Sequence, residues 1–163
     1  MILIGLGANL SSTAGPPRAT LEAALVRLNT AGVKVVARSR WYHTAPVPVS
    51  DQPWFVNGVA RVETVLDPAA LLDVLRETEL AFGRQRTVPN AARTLDLDIL
   101  DYDGRVEAGT ELTLPHPRMQ DRAFVLLPLA DVAPGWRHPV LGRTVEALIS
   151  ALPSAQKAEP IPL

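Results

Sequence analysis

The chain has 163 residues, 47% of them hydrophobic and 20% charged, with a net charge of −1. That size and balance suit one globular domain with a real core, and so small a net charge gives no global field to draw nucleic acid or an anionic membrane. There are no cysteines, which excludes disulfides, thiolate zinc sites and a cysteine nucleophile.

The opening "MILIGLGANL" lacks a basic n-region and a cleavage pattern, and its apolar run is too short for a membrane span. It reads as a first strand over residues 2–8, and the expectation is a soluble, cytoplasmic protein. Pro16 and Pro17 open a helix whose stripe is Leu21, Ala24, Leu25 and Leu28, with Gly32 as its stop. Residues 33–44, rich in valine and aromatics, predict a second strand. "APVPVSDQP", residues 45–53, has three prolines and cannot join a central ladder. Residues 54–65 read as a third strand.

Asp67 as N-cap and Pro68 at the first helical position begin a second helix with the stripe Leu71, Leu75, Thr78 and Phe82, ended by Gly83. After a loop over 84–92 comes the strand "RTLDLDIL". A small hairpin is expected near Asp103–Gly104, then a loop, "LPHPRMQDRAF". Helices are expected over 124–132 and 143–152, with a short extended piece at 136–139 between them. Residues 154–163 read as a loosely held tail of a single domain spanning 1–163. The first hundred residues thus run β-α-β-β-α-β. That order predicts an α+β, ferredoxin-like fold: an antiparallel sheet with two helices on one face, plus a C-terminal extension.

The strand at residues 93–100 carries the clearest chemical signal. Strand alternation puts Leu95, Leu97 and Ile99 on one face and Asp96 and Asp98 on the other, about 6–7 Å apart. Two like charges that close need something positive near them. Mg²⁺, which takes hard oxygen ligands, is one answer; a solvated polar face is the other. Arg84, Arg86 and Arg93 flank the pair, and Arg118 and Arg122 share a later loop with His116. Planar guanidinium forks match phosphate oxygens, although arginines so placed also serve as counterions for the aspartates themselves. Glu79 lies close to the second helix's apolar stripe and needs a partner there. Phe55 and Asn57 share one strand face, which suits a flat heterocycle that is stacked on the ring and read by the amide. The common glycine-rich nucleotide loops are absent.

Taken in order, "GLGANL", "YHTAPV", "DQPWFVNGV", "ETELAFGRQR", "RTLDLDIL" and "LPHPRMQDRAFVLLPLADVAP" resemble the 6-hydroxymethyl-7,8-dihydropterin pyrophosphokinase family over residues 3–135. The resemblance implies transfer of the β,γ-pyrophosphoryl group of ATP to the pterin hydroxymethyl group, releasing AMP, with two Mg²⁺ ions on Asp96 and Asp98. It implies ATP contacts from Glu79, Arg84, Arg86, Arg93, His116 and Arg122, of which Arg84 and Arg93 join the two aspartates as catalytic. It implies a pterin between Phe55 and Phe124, read by Asn57, by Thr44, Ala45 and Pro46 and by Asp96. It also implies a monomer whose partners are small molecules, neither nucleic acid nor membrane. The chain departs from the family in three places. "TVPNAAR" at 87–93 is shorter than the usual segment and lacks its Arg and Trp, Thr-Ala-Pro stands where Thr-Pro-Pro is frequent, and one stacking ring is phenylalanine where tyrosine is common. The rival readings are a metal-dependent phosphohydrolase or nuclease, which would want more acidic ligands and a positioned base, and a non-catalytic binding module.

Overall fold

A computed structural model describes residues 1–84 and 92–162. The elements are β1 (Ile2–Ala8), α1 (Pro17–Thr30), β2 (Lys34–Arg38), β3 (Tyr42–Thr44), β4 (Phe55–Glu63), α2 (Pro68–Ala81), β5 (Asp96–Tyr102), β6 (Glu107–Ala108), β7 (Thr113–Leu114), α3 (Ala123–Val132), α4 (Val145–Ser150) and β8 (Ala158–Pro160). The large sheet runs β5-β1-β4-β3-β8, with β2 also on β4, and its pairings are all antiparallel. The strand order is that of a split β-α-β, as the β-α-β-β-α-β reading anticipates.

The local signals act as written. Asp67 caps α2, its side chain accepting from the Ala70 amide at 2.8 Å, with Pro68 in the first turn. Gly83 ends the helix at φ 82°, a conformation that favours glycine. The α1 positions Leu21, Ala24, Leu25 and Leu28 are buried together with Leu71 and Leu75 of α2 against Ile2, Ile4, Leu6, Leu97 and Ile99.

Four expectations change. The predicted strand over 33–44 is two strands, because three residues (39–41) oppose two of β4 between Arg38↔Ala60 and Tyr42↔Asn57. The extra residue lets Trp41 turn into the core across Gly58, where a Cβ would lie 2.4 Å from the Trp41 ring. Asp103 and Gly104 do form a positive-φ turn at 52° and 72°, but the hairpin lies just beyond it, between β6 and β7. The sheet is covered on both faces. The C-terminal extension packs α3 and α4 against Leu3, Val59 and Leu100, giving a second core with Met119, Leu126, Leu129 and Trp136. Last, the segment expected as a loose tail supplies β8. Its backbone pairs with the open edge of β3, and the Ile161 amide donates to Trp41 O at 2.8 Å.

The candidate active site

The second face of the sheet is apolar only at one end. Along β1, residues 3, 5 and 7 point to that face, and the sequence there is Leu-x-Gly-x-Gly. A Cβ on Gly7 would lie 2.5 Å from Asn57 Nδ2, and one on Gly5 would meet the Leu100 side chain at 3.3 Å. The missing side chains leave a cleft, partly open to solvent.

One end of the cleft suits a flat heterocycle. Asn57 is 7% exposed and its amide is held from both sides. The buried Thr44 hydroxyl donates to Asn57 Oδ1, and Asn57 Nδ2 donates to Leu6 O at 3.3 Å. That fixes the amide's orientation and leaves one N–H and one lone pair for a ligand. Phe55 and Phe124 line the same cleft from β4 and α3, together with Thr44 and Ala45. Pro46 is buried but does not line it.

The other end is ionic. As alternation predicts, Leu95, Leu97 and Ile99 are buried in the first core while Asp96 and Asp98 line the cleft. Both oxygens of Asp96 are engaged, Oδ1 by Arg84 at 2.8 Å and Oδ2 by Arg93 at 3.0 Å. The positive groups beside Asp96 are therefore arginines, the counterion reading. Asp98 differs. No hydrogen bond from a described residue reaches its carboxylate. Burial, then the negative charges of Asp96 and Glu79, push its pKa up to about 8 against the pull of Arg93 and Arg84. Burial and its acidic neighbours thus favour the protonated form of Asp98 well beyond the usual carboxylate range.

Glu79 is buried at the end of α2, 4% exposed. It does not line the cleft. It accepts from Arg84 and from the Leu97 amide, the latter at 2.9 Å. Burial raises its pKa, and the Leu97 amide and the Arg84 charge oppose that. Glu79 thus ties α2 to β5 and aims Arg84 at Asp96.

Arg93, His116 and Arg122 line the cleft. Burial holds His116 down to about pKa 4, assisted by Arg122. The neutral ring accepts from the Arg118 amide at Nδ1, 3.4 Å away, which leaves Nε2 as the donor nitrogen. Burial also lowers the Arg122 pKa, with Arg118 and Arg93 adding to the effect and Asp98 and Asp96 resisting it. A crowded cation of this kind calls for an anion. Its guanidinium lies 5.4 Å from the Phe124 ring centre, so the two ends of the cleft meet there. Arg86 and positions 87–91 lie outside the described residues.

Sequence reasoning missed Asn9. Its Oδ1 accepts from the Arg93 amide at 2.7 Å, while Nδ2 donates to Gln52 Oε1 at 2.8 Å and to Pro53 O at 3.0 Å. One side chain at the end of β1 therefore joins the proline-rich loop to the arginine that precedes the aspartates. These partners lie 43 to 84 positions away, so no local spacing could reveal them. The glycines of β1 were equally silent, because their role depends on which way Asn57 faces.

Among the described residues no group of three or more His, Cys, Asp and Glu side chains gathers as a metal site. An all-protein cage is thus not what the site offers. Asp98 is a carboxylate without a hydrogen-bond donor, beside a second carboxylate at the mouth of an arginine-lined cleft. That set fits Mg²⁺, which is bound through one or two carboxylates and completed by phosphate oxygens and water.

Comparison with known proteins agrees with this geometry. Residues 3–134 match the family model of 7,8-dihydro-6-hydroxymethylpterin-pyrophosphokinase (HPPK). The chain is 43% identical to a 2-amino-4-hydroxy-6-hydroxymethyldihydropteridine pyrophosphokinase of Pseudomonas aeruginosa, over 93% of this chain and 91% of that protein. It is 41% identical to the protein of the same name from Methylorubrum extorquens, over 93% of each. Among solved structures, a mutant HPPK-DHPS of Plasmodium falciparum superposes with a TM-score of 0.70 at 18% identity, over 91% of this chain and 43% of that longer one, which speaks to the fold alone. With the family model spanning most of its length and relatives above 40% identity over nine-tenths of it, the chain belongs to the 7,8-dihydro-6-hydroxymethylpterin-pyrophosphokinase family.

Proposed function

We propose that this protein transfers the β,γ-pyrophosphoryl group of ATP to the hydroxymethyl oxygen of 6-hydroxymethyl-7,8-dihydropterin, giving AMP and the pterin diphosphate, a step of folate biosynthesis. The observation that carries the reading is the two-ended cleft. A buried, pre-oriented amide between two phenylalanines adjoins a carboxylate pair ringed by Arg93, Arg122 and His116. A heterocycle at the first end would present a substituent to a polyphosphate at the second.

The chain's own groups have separate tasks. Asn57, held by Thr44 and Leu6, reads the pterin edge, with Phe55 and Phe124 on its faces and Ala45 at its rim. Pro46, being buried, shapes that loop from behind. Arg93 and Arg122 grip phosphate oxygens, and neutral His116 donates from Nε2. Arg84, pinned by Glu79, keeps Asp96 in place, so Glu79 serves the nucleotide end at second hand. Arg86 belongs to the same nucleotide end on the family resemblance.

Asp96 and Asp98 would hold two Mg²⁺ ions, whose chemistry is to lower the pKa of a bound hydroxyl and to offset charge on the phosphates. For Asp98 that means losing the proton that its burial favours. Such transfer asks for alignment and charge stabilisation more than covalent chemistry, so no enzyme-bound intermediate is called for. No described helix is long and apolar enough to cross a membrane. The reading is of a cytoplasmic monomer whose partners are ATP and the pterin, neither nucleic acid nor membrane.

The test is AMP release from Mg²⁺ and ATP, with and without the pterin. Pterin-dependent AMP, together with a pterin product heavier by a diphosphate, is the expected result. ADP or free phosphate would move the protein to the hydrolase reading.

A further inference from the structure

The family model ends at residue 134, yet the chain beyond it bonds to backbone at or next to residues that line the cleft. Two of its attachments are on different elements of that lining. On one wall, β8 pairs with β3 in the register Thr44↔Ala158, and the Ala45 amide donates to Lys157 O at 3.1 Å. On the other, the half-buried Gln156 side chain accepts from the Ala123 amide at 2.8 Å and donates to Asp121 O at 2.6 Å. Both walls face the heterocycle end: Thr44 and Ala45 from one side, Arg122 and Phe124 from the other.

The geometry of the second attachment is specific. A helix leaves its first amides without partners, and a Ser, Thr, Asp or Asn at the N-cap normally supplies one. At α3 the N-cap is Arg122, whose side chain makes no capping bond. The oxygen comes instead from Gln156, 33 positions away. Because the same amide group also donates to Asp121 O, it brackets Arg122 on both sides along the backbone. Phe124 is the next residue but one. The orientation of the stacking ring and of the guanidinium above it therefore depends on a residue outside the family match.

We propose that Gln156 is a positioning residue for the pterin, acting through the backbone of residues 121–124, and that the 156–158 segment is a strap between the two walls of the heterocycle end, adding to the bonds from Arg40 and Tyr42 to Asp131 that already tie β3 to α3. The inference rests on the pterin assignment under Proposed function. Gln156 does not line the cleft, so its effect passes through Phe124 and Arg122. Losing the bracket frees the Ala123 amide and widens the range of Phe124 positions. Ground-state pterin binding then weakens, while Asp96, held by Arg84, and Arg93, held by Asn9, keep their places.

The experiment titrates full-length protein with the pterin, following its fluorescence, in the presence of Mg²⁺ and a non-hydrolysable ATP analogue. Analogue affinity is measured separately by calorimetry, and thermal midpoints are recorded for each variant. For Gln156→Ala the expected result is pterin affinity weaker by about five- to tenfold, the size of a lost cap felt at one contact, with a smaller loss of analogue affinity, felt through Arg122 alone. Gln156→Glu keeps the acceptor for Ala123 and loses the donor to Asp121 O, so it should fall between wild type and alanine. If the alanine variant fails to fold, the glutamate variant carries the same comparison. Pterin affinity equal to wild type in both variants would overturn the proposal, as would a loss of pterin and analogue affinity in step with a fallen midpoint, which is a purely structural role. Wild-type protein that binds no pterin would instead sink the function on which the inference rests, and the inference with it.

Discussion

The two faces of the sheet are built from the same strands and behave as different materials. On the first, residues such as Ile4, Leu6, Leu97 and Ile99 meet α1 and α2 and bury completely or nearly so. On the second, Leu3, Val59 and Leu100 do the same under α3 and α4, and then the apolar series stops. Gly5, Gly7, Asn57, Asp96 and Asp98 take the next positions on the same three strands. The proposed function falls where a strand face is left without side chains to fill it and where Asp98 has no hydrogen-bond partner among the described residues. On that proposal stability belongs mainly to the first face, and chemistry to the far half of the second.

That division can be broken by neighbouring residues on β5. Asp98→Ala should lower turnover by about a thousandfold or more. Its thermal midpoint without metal should not fall, because the substitution removes a carboxyl that burial and Asp96 disfavour. Ile99→Ala, one residue on and 2% exposed, should do the reverse. The cavity costs about 2–5 kcal/mol in a urea titration, and the protein that remains folded should turn over nearly as wild type. Loss of stability in the first variant, or of turnover per folded molecule in the second, would undo the comparison.

A smaller effect sharpens it. Gly7→Ala places a Cβ 2.5 Å from Asn57 Nδ2, so the amide must leave Leu6 O. Pterin affinity should drop roughly tenfold or more with little change in ATP-analogue affinity. Calorimetry with each ligand separates the two.

The smallest effect is in pH. In the folded protein the Asp98 pKa is pushed up to about 8 from its ordinary 3.8, by burial and then by Asp96 and Glu79. The folded state thus binds more protons over that interval. Metal-free stability from this group is fully present below about pH 4 and is lost as pH rises towards 8. Thermal midpoints across that window should show the decline, and Asp98→Asn should flatten it. Mg²⁺ competes with the same proton, so its binding should tighten as pH approaches 8.

Much of this was legible in the sequence for physical reasons that can be named. Period-two alternation placed Asp96 and Asp98 opposite Leu95, Leu97 and Ile99. A cap, a proline and a glycine bounded α2. What was not legible depends on the whole fold. Ala158–Pro160 has no apolar pattern and carries a proline, so it becomes a strand only because β3 offers it an unpaired edge. A register shift between β1 and β5 beside Leu100 sets Asp101 opposite Leu3, where it accepts from the Trp136 indole at 2.8 Å; alternation from Asp98 would put it on the other side. Asn9 and Gln156 act on residues tens of positions distant, and neither belongs to a local motif.

The central claim is that one cleft on the second sheet face joins a pterin end to a polyphosphate end. It is tested most directly by a crystal structure with Mg²⁺, a non-hydrolysable ATP analogue and 6-hydroxymethyl-7,8-dihydropterin. The account predicts the ring between Phe55 and Phe124 with its edge on Asn57, and phosphates on Arg93 and Arg122 with metal at Asp96 and Asp98. A pterin bound elsewhere, or Asp98 left without a cation while nucleotide is bound, would contradict it.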